Sequence, residues 1–169
     1  MIWAVQYSDF GDAGTATVNL RSAAPPASSP VAVRLANAVG RANLGRAHRA
    51  VDMAAIAPFA WDRLHVFASA TSLDIRRDLG FDWPGAPDTV PRPGRREALL
   101  VFVSGGRIAG SVFFSEAIGR PDCLAVNPAG YPRGTSFRVR FARDKTAFLS
   151  TRRPAGPERS CLRAAGVKI

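Results

Sequence analysis

The clearest pattern of apolar and polar positions lies in the stretch 59–80, where an apolar segment is followed by an amphipathic one. Residues 61–67 are rich in aromatic and branched apolar side chains, which is typical of a half-buried strand. Thr71 and Asp74 have the spacing of a capping box, and Gly80 provides a C-terminal stop. The pattern therefore predicts a strand, a turn and a short helix in immediate succession.

Two further pairs of apolar segments follow along the chain. Segments 98–104 and 107–115 flank Gly105-Gly106, a two-residue turn that is typical of hairpins, and segments 137–141 and 146–151 have the same arrangement around a polar turn. Each hairpin has an apolar side that needs a cover. We therefore predict an α+β fold, with a mainly antiparallel sheet covered on one face by the short helix and preceded by an N-terminal hairpin and helix.

The N-terminal third has a different organisation. Residues 1–22 are predicted to form a hairpin, residues 22–30 are a linker rich in Pro and Ser, and residues 31–56 have the spacing of a basic amphipathic helix. We predict an N-terminal region over 1–56 and an α+β core domain with a basic C-terminal segment over 57–169. The first residues lack the pattern of a signal peptide, and no apolar run is long enough to form a transmembrane segment.

Positive charge is concentrated at the C-terminal end. The 169-residue chain has a net charge of +10, and residues 132–169 carry ten basic side chains against two acidic ones, whereas residues 57–131 carry eight of each sign. Of the 23 basic residues, 21 are arginine, a composition that a GC-rich genome produces without any ligand. Codon bias and a binding function therefore both remain as explanations of the charge.

The arginines of the last two predicted strands form the best candidate binding site. In the segment 137–141 the apolar and arginine positions alternate, so Arg138 and Arg140 share one face. The alternation leaves no aromatic platform beside them, which disfavours single-stranded nucleic acid. We expect an acidic protein surface or an anionic lipid as partner, with nucleic acid as the alternative. The predicted binding residues are Arg138, Arg140, Arg143, Arg152 and Arg153.

Three side chains of the central strand are candidates for recognition or catalysis. Trp61 and Asp62 form an aromatic and carboxylate pair that could recognise a ligand. The structural alternative is a core tryptophan beside a carboxylate that accepts backbone amides or pairs with Arg63 or Arg76.

His65 has the chemistry of a general base, yet no accompanying nucleophile motif is present. Strand alternation predicts that it shares a face with Trp61, Arg63 and Phe67. A small enzyme that uses His65 and Asp62 is therefore our weakest prediction, and we expect no cofactor.

The two cysteines, Cys123 and Cys161, have no Cys or His neighbour at metal-ligand spacing, so we predict no metal site. They form a disulfide if the protein is exported and remain buried thiols otherwise. The sequence leaves these two alternatives open.

The segments 51–67, 79–83 and 98–110 resemble a loose set of small uncharacterised bacterial proteins, many of them exported or lipid-anchored, which carry a Phe-x-Trp-Asp motif before an apolar strand. The matching residues are Phe59, Trp61, Asp62 and Phe67, whereas His65 replaces an aromatic residue and a lipoprotein leader is missing. The resemblance implies an extracytoplasmic location and no particular activity. Together these observations predict a non-enzymatic binding or structural module of the bacterial cell envelope.

Overall fold

The structure is a computed structural model that describes residues 29–169; the predicted hairpin and most of the predicted linker lie outside the described residues. The α+β fold is confirmed. The helices are α1 (Pro30–Ala42), α2 (Met53–Ile56), α3 (Ser72–Leu79) and α4 (Gly156–Ala164), with 3-10 helices at Arg46–Arg49 and Asp122–Leu124. The strands are β1 (Ala50–Val51), β2 (Arg63–Phe67), β3 (Ala70–Thr71), β4 (Thr89–Val90), β5 (Glu97–Ser104), β6 (Arg107–Ser115), β7 (Tyr131–Pro132), β8 (Phe137–Phe141) and β9 (Ala147–Thr151).

The larger sheet has four antiparallel strands in the order β6-β5-β2-β7. The predicted Gly105-Gly106 turn joins β5 to β6, and both glycines have positive φ, a region that other residues rarely adopt. Phe67, Leu99 and Val101 lie on one face of this sheet and pack in one cluster with Ile75 of α3. The short helix therefore covers that face, as predicted.

A second sheet has three antiparallel strands in the order β1-β8-β9, and β3 and β4 form a separate two-stranded sheet. The sequence predicted a single sheet, whereas the second hairpin pairs with β1 instead of with β5 or β6. Helix α4, which lies in a tail that has little pattern in the sequence, packs Leu162 against Phe148 of β9. The second sheet therefore has its own covering helix.

One hydrophobic core lies between α1 and the inner faces of both large sheets. Leu35 of α1, Leu64 and Phe102 of the four-stranded sheet, and Val139 and Leu149 of the three-stranded sheet all belong to it. Residues on both sides of position 57 contribute, so the N-terminal helix and the sheets bury their apolar sides together.

The helix predicted over 31–56 is shorter than expected. Its first three turns are present, with Leu35 and Val39 buried, but α1 ends at Ala42. Gly45 adopts φ 136°, which only glycine tolerates well, and the chain turns into the 3-10 helix. Leu44, which the periodicity assigns to the buried side, is consequently 74% exposed.

Candidate functional site

Strand β8 separates arginines from apolar side chains. Phe137 and Val139 are buried in the central core, while Arg138 and Arg140 lie on the opposite face, as the alternation predicts. In the strand register, Arg138 lies opposite Ser150 and Arg140 opposite Phe148. Phe148, against which α4 packs, is therefore on the same face of the sheet as the two arginines. The arginine face is therefore partly covered by α4.

Arg140 is held in place by the neighbouring strand. Its Nε donates to Ser150 Oγ at 2.9 Å and its Nη2 donates to the carbonyl of Arg152 at 2.9 Å. Burial, reinforced by the positive charge of Arg138, holds the pKa of the Arg140 guanidinium below its ordinary value. This charge would therefore be stabilised by a nearby anion.

Arg138 and Arg140 line a cleft of about 700 Å³ between β8, the 3-10 helix 46–49 and the C-terminal residues. We call it the basic cleft, because its lining includes six basic side chains and no acidic one. The six are Arg46, Arg49, Arg138, Arg140, Arg143 and Lys168.

Among residues 29–169, no carboxylate oxygen lies within 4.0 Å of a side-chain nitrogen of these six residues, so none of them forms an ion pair there. The guanidinium of Arg49 lies 5.1 Å from the ring centroid of Phe141, and its buried Nε has no hydrogen-bond partner among the described residues. Charges close together without counter-ions favour the binding of an anion.

The structure distributes the five predicted arginines over neighbouring clefts. Arg138, Arg140 and Arg143 line the basic cleft, whereas Arg152 and Arg153 line a cleft of about 730 Å³ beside α4. Of these five, Arg138 and Arg152 also line a cleft of about 690 Å³ that adjoins the other two.

Sequence reasoning missed three residues of the basic cleft: Arg46, Arg49 and Lys168. The first two lie in the segment 31–56, which was predicted to be one amphipathic helix. Their signal in the sequence was Gly45, a residue type that disfavours helix, and in the structure it immediately precedes the 3-10 helix. No pattern in the sequence places Lys168 beside β8.

Trp61 occupies a structural position. It is 4% exposed, its Nε1 donates to the carbonyl of Ala57 at 3.0 Å, and its ring packs edge-on against Phe102 with centroids 5.3 Å apart. Arg133 lies 5.1 Å from its ring centroid and donates to the carbonyl of Phe59. These contacts match the structural alternative and leave no open aromatic surface for a ligand.

Asp62 supports the β5–β6 hairpin. Its Oδ2 accepts from the backbone N–H of Gly105 at 2.8 Å, and its own N–H donates to the carbonyl of Val103 at 2.8 Å. The side chain therefore accepts a backbone amide, which is the structural alternative to recognition of a ligand.

His65 lies on a different face from Trp61, although strand alternation predicted the same one. It stacks on Phe67 on the α3 side of the sheet, because the chain turns at residue 62 before β2 begins. Burial, together with the charge of Arg63, lowers the pKa of His65 below its ordinary value. A Cβ at Gly130 would lie 2.9 Å from His65 Nε2, so the loop closes over the ring.

The structure does not bring His65 and Asp62 into one site. Their side chains have separate surroundings. Asp62 bonds to the hairpin turn while His65 is 5% exposed beneath a loop.

Cys123 and Cys161 are bonded to each other. Their Cα atoms are 5.5 Å apart, and the bond joins the 3-10 helix 122–124 to α4. Both sulfur atoms lie in a small apolar cluster with Phe148 and Leu162. The disulfide therefore ties α4 to the outer face of the three-stranded sheet.

Two properties of the described residues bear on other kinds of site. No helix in 29–169 is both long and apolar enough to cross a bilayer. Within the same range, no three His, Cys, Asp or Glu side chains cluster as metal ligands would.

Comparisons with protein-family models, with curated proteins and with solved structures find no match to this chain.

Proposed function

We propose that this protein is a non-enzymatic binding module that engages an acidic partner through the basic cleft. The observation that carries the proposal is the set of six cations around one cleft without a carboxylate among the described lining residues. Arginine suits this task because its planar guanidinium binds carboxylates in two-point contacts. The separation of His65 from Asp62 supports a binding role over the enzymatic alternative.

The shape of the site favours an acidic protein over an anionic lipid surface. A bilayer surface is flat on the scale of one domain, whereas the basic cleft is a concave space of about 700 Å³ between three parts of the chain. A segment of a partner protein can enter such a space. Anionic lipid and nucleic acid are then outcomes that the binding experiment below distinguishes.

A location in the bacterial cell envelope is the second part of the proposal. It is supported by the Cys123–Cys161 bond, because structural disulfides persist mainly outside the cytoplasm, and by the resemblance to exported proteins. Thiol titration of denatured protein taken from its native compartment tests this location. We expect no free thiol, and two free thiols per chain would contradict the extracytoplasmic assignment.

Binding to polyglutamate over a series of salt concentrations tests the proposed site. In the variant Arg46→Gln/Arg138→Gln we expect the affinity to fall about tenfold or more, because two of the cations that line the cleft are lost. The affinity of the unchanged protein should fall as salt rises, since screening weakens attraction between exposed charges.

The matched control is Arg76→Gln/Arg77→Gln, which removes the same net charge elsewhere. These two arginines pair with Asp82, Asp74 and Asp78 and are exposed. We expect the control to bind within about twofold of the unchanged protein. An equal loss in both variants would reduce the effect to net charge and contradict a site at the cleft, and tighter binding to DNA or to anionic vesicles would reassign the partner.

A further inference from the structure

The basic cleft is one of three neighbouring depressions, two of which are lined by residues of β8 and the third by residues 135–136 just before β8 and by α4. It shares Arg46 and Arg138 with the middle depression, which in turn shares Thr135, Ser136 and Arg152 with the depression beside α4. Because neighbouring depressions share side chains, they adjoin one another, and we call the three together the basic groove.

The groove is long and positively charged along its whole course. From Ser136 to Ala142 alone the chain spans about 20 Å in extended conformation. Basic side chains line all three depressions. They are Arg46, Arg49, Arg133, Arg138, Arg140, Arg143, Arg152, Arg153 and Lys168.

Two acidic side chains also line the groove, and both are already engaged. Oδ1 of Asp52 accepts the N–H groups of Ala54 and Ala55 at the start of α2, at 2.9 and 3.2 Å. Glu158 is 6% exposed and accepts both the N–H and the hydroxyl of Thr151, each at 2.7 Å. Neither carboxylate forms an ion pair with a groove arginine in the described part of the chain.

The aromatic lining does not suit stacked bases. Phe137 and Tyr131 are buried, and the Tyr131 hydroxyl donates to the carbonyl of Leu124. The ring of Phe141 has the guanidinium of Arg49 beside it. Because binding of single-stranded nucleic acid depends on open aromatic faces, the groove is better suited to a chain that carries only anionic side groups.

We infer that the basic groove binds an extended, acidic segment of a polypeptide. In extended chain, side chains on one side repeat every 6.6–6.8 Å or so, which is also the spacing of Arg138 and Arg140 along β8. Carboxylates at that spacing meet successive guanidinium groups. This inference rests on the proposed function and adds that the partner's charges lie along a strand-like segment and not in one compact group.

Oligoglutamates of three, six and nine residues are the probe, with dissociation constants measured by fluorescence anisotropy. We expect affinity to rise about tenfold or more from three to six residues, because three residues span only about 10 Å of the groove. The double variant Arg153→Gln/Lys168→Gln removes one cation from each end of the groove. It should weaken the nine-residue peptide about tenfold and the three-residue peptide no more than about twofold.

The outcomes separate the inference from the proposed function. If no oligoglutamate binds, both fail. If all three lengths bind equally, or if the end variant weakens them equally, the basic cleft remains a site for acidic groups but the extended segment is wrong. If single-stranded DNA of the same charge binds more tightly than the nine-residue peptide, the ligand is a nucleic acid and the inference is overturned. Thermal unfolding of each variant verifies that these exposed substitutions leave the fold intact.

Discussion

Arginines beside the four-stranded sheet and arginines of the basic cleft have different surroundings. Four of the five ion pairs of the described chain lie beside the four-stranded sheet or on its covering helix, whereas the fifth, Arg120–Asp122, lies at the edge of β9, where Arg120 bridges to Phe148. Around the three-stranded sheet, the six cations of the basic cleft have no carboxylate partner in the same part of the chain.

This difference separates a structural use of charge from one that is available to a ligand. Arg92 donates to both oxygens of Glu97 and lies 4.0 Å from the ring centroid of Phe113, so its interactions are complete within the fold. Arg138 has no hydrogen bond or ion pair from its side chain in the described part of the chain. A composition rich in arginine explains both residues equally, whereas only their surroundings distinguish them.

The largest expected effect is at Trp61. We expect Trp61→Ala to lower the free energy of unfolding by about 3–5 kcal/mol, because it removes a buried ring from the core that both sheets share. Urea unfolding measures the change.

Trp83→Ala is the control for that experiment. Trp83 is only partly buried, and it packs against the cluster that contains Ile75 of α3. This substitution should cost less than the Trp61 substitution. If Trp61→Ala left stability unchanged and abolished binding of polyglutamate, the recognition role of Trp61 would be right and the structural one wrong.

A smaller effect tests the difference between a paired arginine and an arginine of the basic cleft. We expect Arg92→Gln to lower the free energy of unfolding by about 1–2 kcal/mol, because it leaves the buried Glu97 carboxylate without its partner. Arg92 also holds the pKa of Glu97 below its ordinary value, so this loss should diminish as the pH falls through that lowered pKa and Glu97 becomes neutral.

Arg138→Gln is the matched substitution on the other sheet. It should leave the free energy of unfolding unchanged or raise it by up to about 0.5 kcal/mol, because it removes a like charge beside Arg140. Thermal and urea unfolding of the two variants in parallel measure the difference. A loss at Arg138 as large as that at Arg92 would show that the basic cleft is held together by its cations, and the comparison would fail.

Local patterns predicted much of the fold and part of the site. The capping box of Thr71 and Asp74, the Gly105-Gly106 turn and the alternation of β8 are all present, because each depends on residues close together in the chain. The prediction of α1 was wrong at its end for the same reason. The apolar periodicity of the sequence continues past Gly45, although the chain turns there.

The sequence by itself determined which faces are apolar, where the positive charge is concentrated and which side of β8 carries its arginines. Only the tertiary structure decided that β1 and not β6 pairs with the second hairpin, that the disulfide ties α4 over the arginine face, and that Arg46 and Arg49 meet Lys168 at one cleft. The two groups of features differ in how far apart along the chain the interacting residues lie. Side-chain alternation repeats every two residues, whereas strand pairing and the approach of distant cations depend on burying the common core, to which segments from all along the described chain contribute.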